Sequence, residues 1–131
     1  MSGLLIDTNA YMSLLNGTPE ALTVFNNATH IFFPFIVVAE LLSGFKHGTR
    51  EEKNRNQLSE LFESEQISIL FPDDQTLEFY STVFASLRKK GTPIPTNDIW
   101  IAALALQYEL PLFTYDKHFK SVELLTTASI S

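Results

Sequence analysis

Hydrophobic and polar positions along this chain follow two alternating periods. Short apolar runs typical of buried strands are separated by longer segments in which apolar residues recur at helical spacing. The predicted strands are residues 3–6, 30–33, 66–71 and 111–114, with a further edge strand at 122–125. Short strands that are buried on both faces and alternate with helices form parallel sheets covered by helices. We therefore predict an α/β fold, a three-layer α/β/α sandwich with a central parallel sheet of four to five strands.

Capping and breaking residues mark the ends of the predicted helices. Thr8 and Asn9 open the first helix, Pro34 suits the first turn of the third, and Gly91 stops the fifth. The helices are predicted after Asp7, then at 20–27, 34–44, 49–65, from Asp73 or Asp74 to near Gly91, and at 97–108. The last is the most apolar, with an unbroken apolar run at 99–106.

Length and composition limit the kinds of protein that the chain can be. Its 131 residues, 45% of them hydrophobic, suit one domain spanning 1–131 and are too few for two of ordinary size. There is no cysteine, which excludes disulfides, thiolate metal sites and a cysteine nucleophile. The N-terminus lacks a signal-peptide pattern, and no apolar stretch approaches the roughly 18 residues of a membrane helix. We expect a cytoplasmic protein with no membrane association.

The charge of the chain is acidic, but its basic residues are clustered. A net charge of −6 taken alone argues against a nucleic-acid partner. The basic residues fall into three windows: Lys46, Arg50, Lys53 and Arg55; Arg88, Lys89 and Lys90; and Lys117 and Lys120. Each window taken separately suits a solvated helix surface. Taken together, they suit positive charge placed around a negative centre.

Four carboxylates stand out because their sequence neighbours are apolar: Asp7, Glu40, Asp98 and Asp116. An ionised carboxylate in apolar surroundings is costly unless it meets a cation or hydrogen-bond donors. Asp7 and Asp116 are predicted at the carboxyl ends of strands, the edge of a parallel sheet where ligands bind. Oxygen ligands of this number suit magnesium or manganese, and two such ions form the clamp used for phosphodiester hydrolysis.

Each of these acids also has a purely structural interpretation. Asp7 suits a helix cap, Asp98 a favourable charge at a helix N-terminus, and Asp116 an Asx turn. Glu40 is harder to explain structurally, because glutamate is almost never fully buried without a partner. A shared metal accounts for all four at once. Of the histidines, His118 is interpreted as a packed or surface side chain rather than a ligand.

Four motifs in order resemble those of the PIN-domain family, and within it the VapC-like toxins of prokaryotic toxin–antitoxin pairs. The motifs are LIDTN at 5–9, AELLSG at 39–44, NDIWIAA at 97–103 and TYDKHF at 114–119. They extend over almost the whole chain, so the resemblance rests on their order and spacing as well as on single residues.

The resemblance implies an endoribonuclease that hydrolyses RNA phosphodiester bonds with a metal-activated water. The implied catalytic and metal-binding residues are Asp7, Glu40, Asp98 and Asp116, with Mg²⁺ as cofactor and Mn²⁺ able to substitute. Asn9 and Thr114 are implied as polar supports. The candidate RNA contacts are Lys46, Arg50, Arg88, Lys89, Lys90, Lys117 and Lys120. The implied partners are an RNA substrate, an antitoxin that covers the site, and a second copy of the chain, for which the apolar helix at 97–108 offers a surface.

The sequence leaves two other functions open. One is a catalytically silent PIN-fold module that binds RNA or protein without cutting. The other is a metal-dependent phosphohydrolase of small molecules, of the haloacid dehalogenase type. That type needs a second aspartate two residues after the first, where this chain has Asn9.

Overall fold

The computed structural model describes residues 3–128, and its core is a five-stranded parallel sheet. The strands are β1 (Gly3–Ile6), β2 (His30–Pro34), β3 (Ile67–Leu70), β4 (Leu112–Phe113) and β5 (Thr127–Ala128). Their order across the sheet is β3-β2-β1-β4-β5, and all neighbours pair in parallel. The central strand β1 places Leu5 opposite Phe32 on one side and Leu112 on the other. The predicted α/β/α fold is confirmed.

Six α-helices connect and cover the strands within the described residues. They are α1 (Thr8–Leu15), α2 (Pro19–Asn27), α3 (Phe35–His47), α4 (Glu51–Phe62), α5 (Asp74–Lys90) and α6 (Thr96–Gln107). A short 3-10 helix at Lys117–Ser121 follows β4. Helices α5 and α6 pack closely on each other, and α3 contacts both α4 and α6. None of the helices within residues 3–128 is long and apolar enough to cross a membrane.

Two residues define the ends of α5 as the sequence predicts. The Asp73 carboxylate accepts hydrogen bonds from the backbone N–H groups of Gln75 (2.9 Å) and Thr76 (3.2 Å). The Thr76 hydroxyl accepts one from the Asp73 backbone N–H at 2.9 Å, which completes a capping box. At the other end Gly91 adopts φ +72°, the left-handed conformation that glycine tolerates best.

The apolar run of α6 lies inside the molecule. Ile99 and all five residues at 101–105 are buried, and they pack against the sheet and the neighbouring helices. Trp100 is partly buried and contacts the rings of Tyr80 and Phe35. The expectation that this helix exposes an apolar surface for a second copy of the chain is therefore wrong, because the chain's own core uses those side chains.

Two predicted element boundaries are also wrong. Helix α3 continues past Gly44 to His47, because Leu41 and Phe45 carry its buried stripe across the glycine. The fifth strand lies at Thr127–Ala128 rather than at 122–125. In the predicted segment Val122 is buried, whereas Leu124 is 94% exposed and has φ +65°. An apolar sequence there turns the chain instead of extending it.

Candidate metal centre

The four acids come from four separate segments of the chain. Asp7 follows β1, Glu40 lies in α3, Asp98 is in the first turn of α6, and Asp116 precedes the 3-10 helix. Asp7 interacts electrostatically with Asp98 and Asp116, and Asp98 interacts with Asp116 and Glu40. The fold therefore brings all four residues together, at the end of the sheet where β1 and β4 finish.

Asp7 is the most buried of these acids, with 4% of its surface exposed. One of its oxygens accepts the backbone N–H of Ala10 at 2.8 Å, which caps α1, and the other accepts the hydroxyl of Thr114. Burial raises the pKa of Asp7 to about 6, against the lowering effect of these two hydrogen bonds. Repulsion from Asp116 and Asp98 adds to the rise. Asp7 is thus both the cap of α1 and a member of the acidic centre whose ionised form is disfavoured.

Thr114 connects two of the acids. Its hydroxyl donates to Asp7 and accepts the backbone N–H of Asp116 at 2.9 Å. Thr114 therefore links the carboxylate after β1 to the turn after β4.

Glu40 is only partly buried, in contrast to the fully buried position that its apolar neighbours indicate. Its two carboxylate oxygens each accept a hydrogen bond from a neutral side chain. The Thr8 hydroxyl donates to Oε1 at 2.7 Å and the Asn97 amide donates to Oε2 at 3.2 Å. These donors hold the carboxylate in one orientation without neutralising it. The sequence did not indicate that either residue supports Glu40, although Thr8 directly follows Asp7 and Asn97 directly precedes Asp98.

Asn9, the other polar support implied by the resemblance, is exposed. In the first turn of α1 it is Thr8 that faces Glu40. A support from Asn9 stays a prediction.

His118 lies against two of the acids, which the sequence interpretation missed. Its Nδ1 is 3.2 Å from Asp116 Oδ1 and 3.4 Å from Asp98 Oδ2, while the side chain is 53% exposed. Burial raises the pKa of Asp98, His118 lowers it, and the charges of Asp116 and Glu40 raise it. Position 118 is two residues after Asp116 in the turn that Asp116 caps, a spacing that could have indicated the contact.

The residues of this centre fit a divalent cation. One ligand atom from each of Asp98, Asp116 and His118 lies within 4.8 Å of the other two. Carboxylate oxygens are the ligands that Mg²⁺ and Mn²⁺ prefer. Burial and repulsion from the other acids make the ionised form of Asp7 costly. A cation among the carboxylates offsets that cost.

Two of the three basic windows adjoin the acidic centre. Arg50 lines a cavity of about 370 Å³ that Thr8 and Glu40 also line. Lys117 and Lys120 are exposed on the 3-10 helix that Asp116 caps.

The other candidate RNA contacts are less directly placed. Lys46 is 69% exposed and pairs with Glu51 at 3.5 Å. Arg88 lines a separate cavity, and Lys89 is exposed near the end of α5. Lys90 donates to the carbonyl of Ser121 and pairs with Glu123 at 3.8 Å, so part of its charge is already matched.

The fold and its site define a class of α/β protein in which a parallel sheet gathers acidic side chains from four segments at one edge. The chain belongs to the PIN-domain family, whose model matches residues 4–125. It is similar to Ribonuclease VapC1 of Haemophilus influenzae (strain R2866), with 29% identity over 123 residues and 90% of each chain covered. It is also similar to Ribonuclease VapC5 of Mycobacterium tuberculosis, with 26% identity over 120 residues, 90% of this chain and 86% of the relative.

Solved structures show the same fold. VapBC-1 from nontypeable Haemophilus influenzae superposes with a TM-score of 0.83 and 28% identity, with 97% of each chain covered. DNA-bound VapBC from Salmonella typhimurium superposes with a TM-score of 0.86, with 98% of each chain covered. Its identity is 23%, so that likeness concerns the fold alone.

Proposed function

We propose that this chain is a divalent-metal-dependent endoribonuclease, the toxin of a VapC-type toxin–antitoxin pair. The observation that carries the proposal is the convergence of Asp98 and Asp116 on Asp7, with Glu40 acting on Asp98. The pKa of Asp7 is raised to about 6, and no basic side chain is buried among residues 3–128. Such an arrangement destabilises the fold unless a cation is bound. The names of the VapC relatives support RNA as the substrate.

The residues of the centre divide into holding and orienting groups. Asp7, Glu40, Asp98 and Asp116 would hold Mg²⁺ or Mn²⁺. Thr114 orients Asp7, and Thr8 and Asn97 orient Glu40 through the hydrogen bonds described above. When bound, a divalent ion supplies Lewis-acid activation of water and of the scissile phosphodiester.

The RNA backbone is held by the basic residues around the acids. Arg50 is the best placed of them, because its cavity is continuous with the surface of Glu40. Lys117 and Lys120 extend positive charge from the Asp116 side. Contacts of this kind bind phosphates without selecting sequence.

A protein antitoxin is the proposed partner. The similar solved structures include VapBC-1 of Haemophilus influenzae and a VapBC toxin–antitoxin system of Mycobacterium tuberculosis. A homodimer stays a prediction, and it needs a surface other than the buried stripe of α6.

The two alternatives lack a comparable observation. A catalytically silent module has no need of a carboxylate as costly as Asp7, and the phosphohydrolase needs an acid where the exposed Asn9 stands. Neither is favoured by a contact in the structure.

End-group analysis of a short labelled RNA tests the proposal. Cleavage in Mg²⁺ or Mn²⁺ is expected to leave 5′-phosphate and 3′-hydroxyl ends, because an activated water attacks phosphorus directly. Excess EDTA is expected to abolish cleavage. Metal-free ribonucleases use the 2′-hydroxyl with a general acid and base, so a 2′,3′-cyclic phosphate product, or cleavage undiminished by EDTA, would contradict the proposal.

A further inference from the structure

His118 is held in place at the acidic centre by the turn that carries it. Its backbone N–H donates to Asp116 Oδ1 at 2.9 Å, and the next residue, Phe119, is buried in the core. The imidazole therefore projects from an anchored backbone. Its Nδ1 lies within 3.4 Å of carboxylate oxygens of Asp116, in its own turn, and of Asp98, in the first turn of α6.

The distances from His118 Nδ1 to the two carboxylate oxygens are close to the spacing of adjacent ligands in an octahedral site. In octahedral Mg²⁺ sites with bonds of about 2.1 Å, adjacent ligands are roughly 3.0 Å apart. The distances from His118 Nδ1 are 3.2 Å to Asp116 and 3.4 Å to Asp98, and all three ligand atoms lie within 4.8 Å of one another. Both distances exceed the octahedral spacing by a few tenths of an ångström, a difference that a rotation of the half-exposed His118 side chain can supply.

We propose that His118 supplies a nitrogen ligand, through Nδ1, to a divalent ion held together with Asp98 and Asp116. The inference rests on the metal centre of the proposed function and adds a ligand to it. It changes the donor set from oxygen alone to oxygen and imidazole nitrogen. Imidazole suits transition-metal ions, whereas Mg²⁺ prefers oxygen ligands and its own waters. This site accordingly favours Mn²⁺ over Mg²⁺.

Direct spectroscopy of the Mn²⁺-loaded wild-type protein is the first test. Pulsed EPR is expected to show hyperfine coupling from one directly bonded ¹⁴N nucleus. The His118→Ala variant is expected to lose that coupling, and the His47→Ala variant to keep it. His47 is a matched control because it is an exposed histidine at the end of α3 and is not a member of the metal-binding group.

Calorimetric titration with MnCl₂ and MgCl₂, without RNA, is the second test. His118→Ala is expected to weaken Mn²⁺ binding by about tenfold or more and to change Mg²⁺ binding much less. His118→Asn, which keeps a polar side chain in the turn, serves as a second variant, and thermal melts verify that both are folded.

The outcomes separate this inference from the proposed function. Mn²⁺ binding with metal-dependent cleavage but no nitrogen coupling would overturn the role of His118 alone. Tighter binding of both ions by His118→Ala would do the same, because the imidazole would then compete with the ion as an internal counter-charge. A wild-type protein that binds neither ion would overturn the metal centre itself.

Discussion

Asp7 and Asp73 occupy the same local position in two helices but have opposite electrostatics. Each is an N-cap whose carboxylate accepts backbone N–H groups of the following turn. The pKa of Asp73 is lowered, first by a 2.8 Å hydrogen bond from the Gln107 amide and then by its own cap bonds. The pKa of Asp7 is raised to about 6 by burial despite its two hydrogen bonds. Asp73 is a satisfied structural group, whereas no positively charged group among residues 3–128 is paired with Asp7.

The difference indicates how a functional carboxylate differs from a capping one. Asp73 is solvated and joins α5 to the end of α6, where Gln107 and Tyr108 contact it. Asp7 lies beneath other acids that were brought to it by distant parts of the chain. The cap geometry alone does not distinguish the two residues, but their surroundings do.

The largest expected effect is on cleavage. Asp7→Asn is expected to reduce RNA cleavage by about 100-fold or more, because removing even an indirect support of a metal ligand commonly costs 10- to 100-fold. Asp73→Ala is expected to lower the Tm and leave cleavage of folded protein unchanged. Initial rates on a labelled RNA, with Tm measured in parallel, test the contrast. Equal activity loss in both variants would remove the distinction between the two aspartates.

Although Asp7→Asn should reduce cleavage, it should increase the stability of the metal-free protein at neutral and alkaline pH. The folded-state pKa of Asp7, about 6, is above its usual 3.8, so its protonated form is favoured by folding. The contribution of Asp7 to the free energy of unfolding is complete below pH 4. It is lost as the pH rises through 6, and the loss reaches about 3 kcal/mol at pH 8.

Asp7→Asn should therefore be more stable than wild type at pH 8 in EDTA, with the advantage shrinking toward pH 4. Urea unfolding across this range measures it. Saturating Mn²⁺ should stabilise wild type more than the variant, because only the native site binds the ion tightly. A variant that is less stable than wild type at every pH would mean that Asp7 acts chiefly as a cap.

The smallest expected effect concerns the basic rim. Arg50→Gln is expected to raise the KM for RNA several-fold with little change in kcat, because Arg50 lines the cavity beside Glu40 without contacting the acids at hydrogen-bond distance. Arg55→Gln, an exposed change in helix α4, which begins directly after Arg50, is the control. Comparing both at two salt concentrations tests the contact. An equal change of KM in the two variants would mean that RNA binding depends on the overall positive charge rather than on a specific contact with Arg50.

Much of the fold could be predicted from the pattern of the chain. The strand at Gly3–Ile6, the capping of α5 by Asp73 or Asp74 and its end near Gly91 depend on neighbouring residues, and the structure confirms them with Asp73 as the cap. The segment at 122–125 was predicted wrongly because its apolar residues suit a strand equally well. In the structure Leu124 has a positive φ and is 94% exposed, so this segment turns instead of pairing with the sheet.

The candidate site was predictable to a similar degree. An acid flanked by apolar residues can be recognised in the sequence alone. This pattern identified four candidate residues: Asp7, Glu40, Asp98 and Asp116. Hydrogen bonds between residues far apart in sequence leave no such signal. The contacts of Thr8 and Asn97 with Glu40, and of His118 with Asp98, were found only in three dimensions.

The sequence by itself determined most of the element types, the class of fold and which acids to examine, because these follow from the periodicity of apolar residues and from the cost of an isolated buried charge. The tertiary structure alone decided which neighbours each acid has. Whether a carboxylate is satisfied, as at Asp73, or left in need of a cation, as at Asp7, depends on donors and charges supplied by other segments. Those distances are set by the packing of helices on the sheet, which no local pattern encodes.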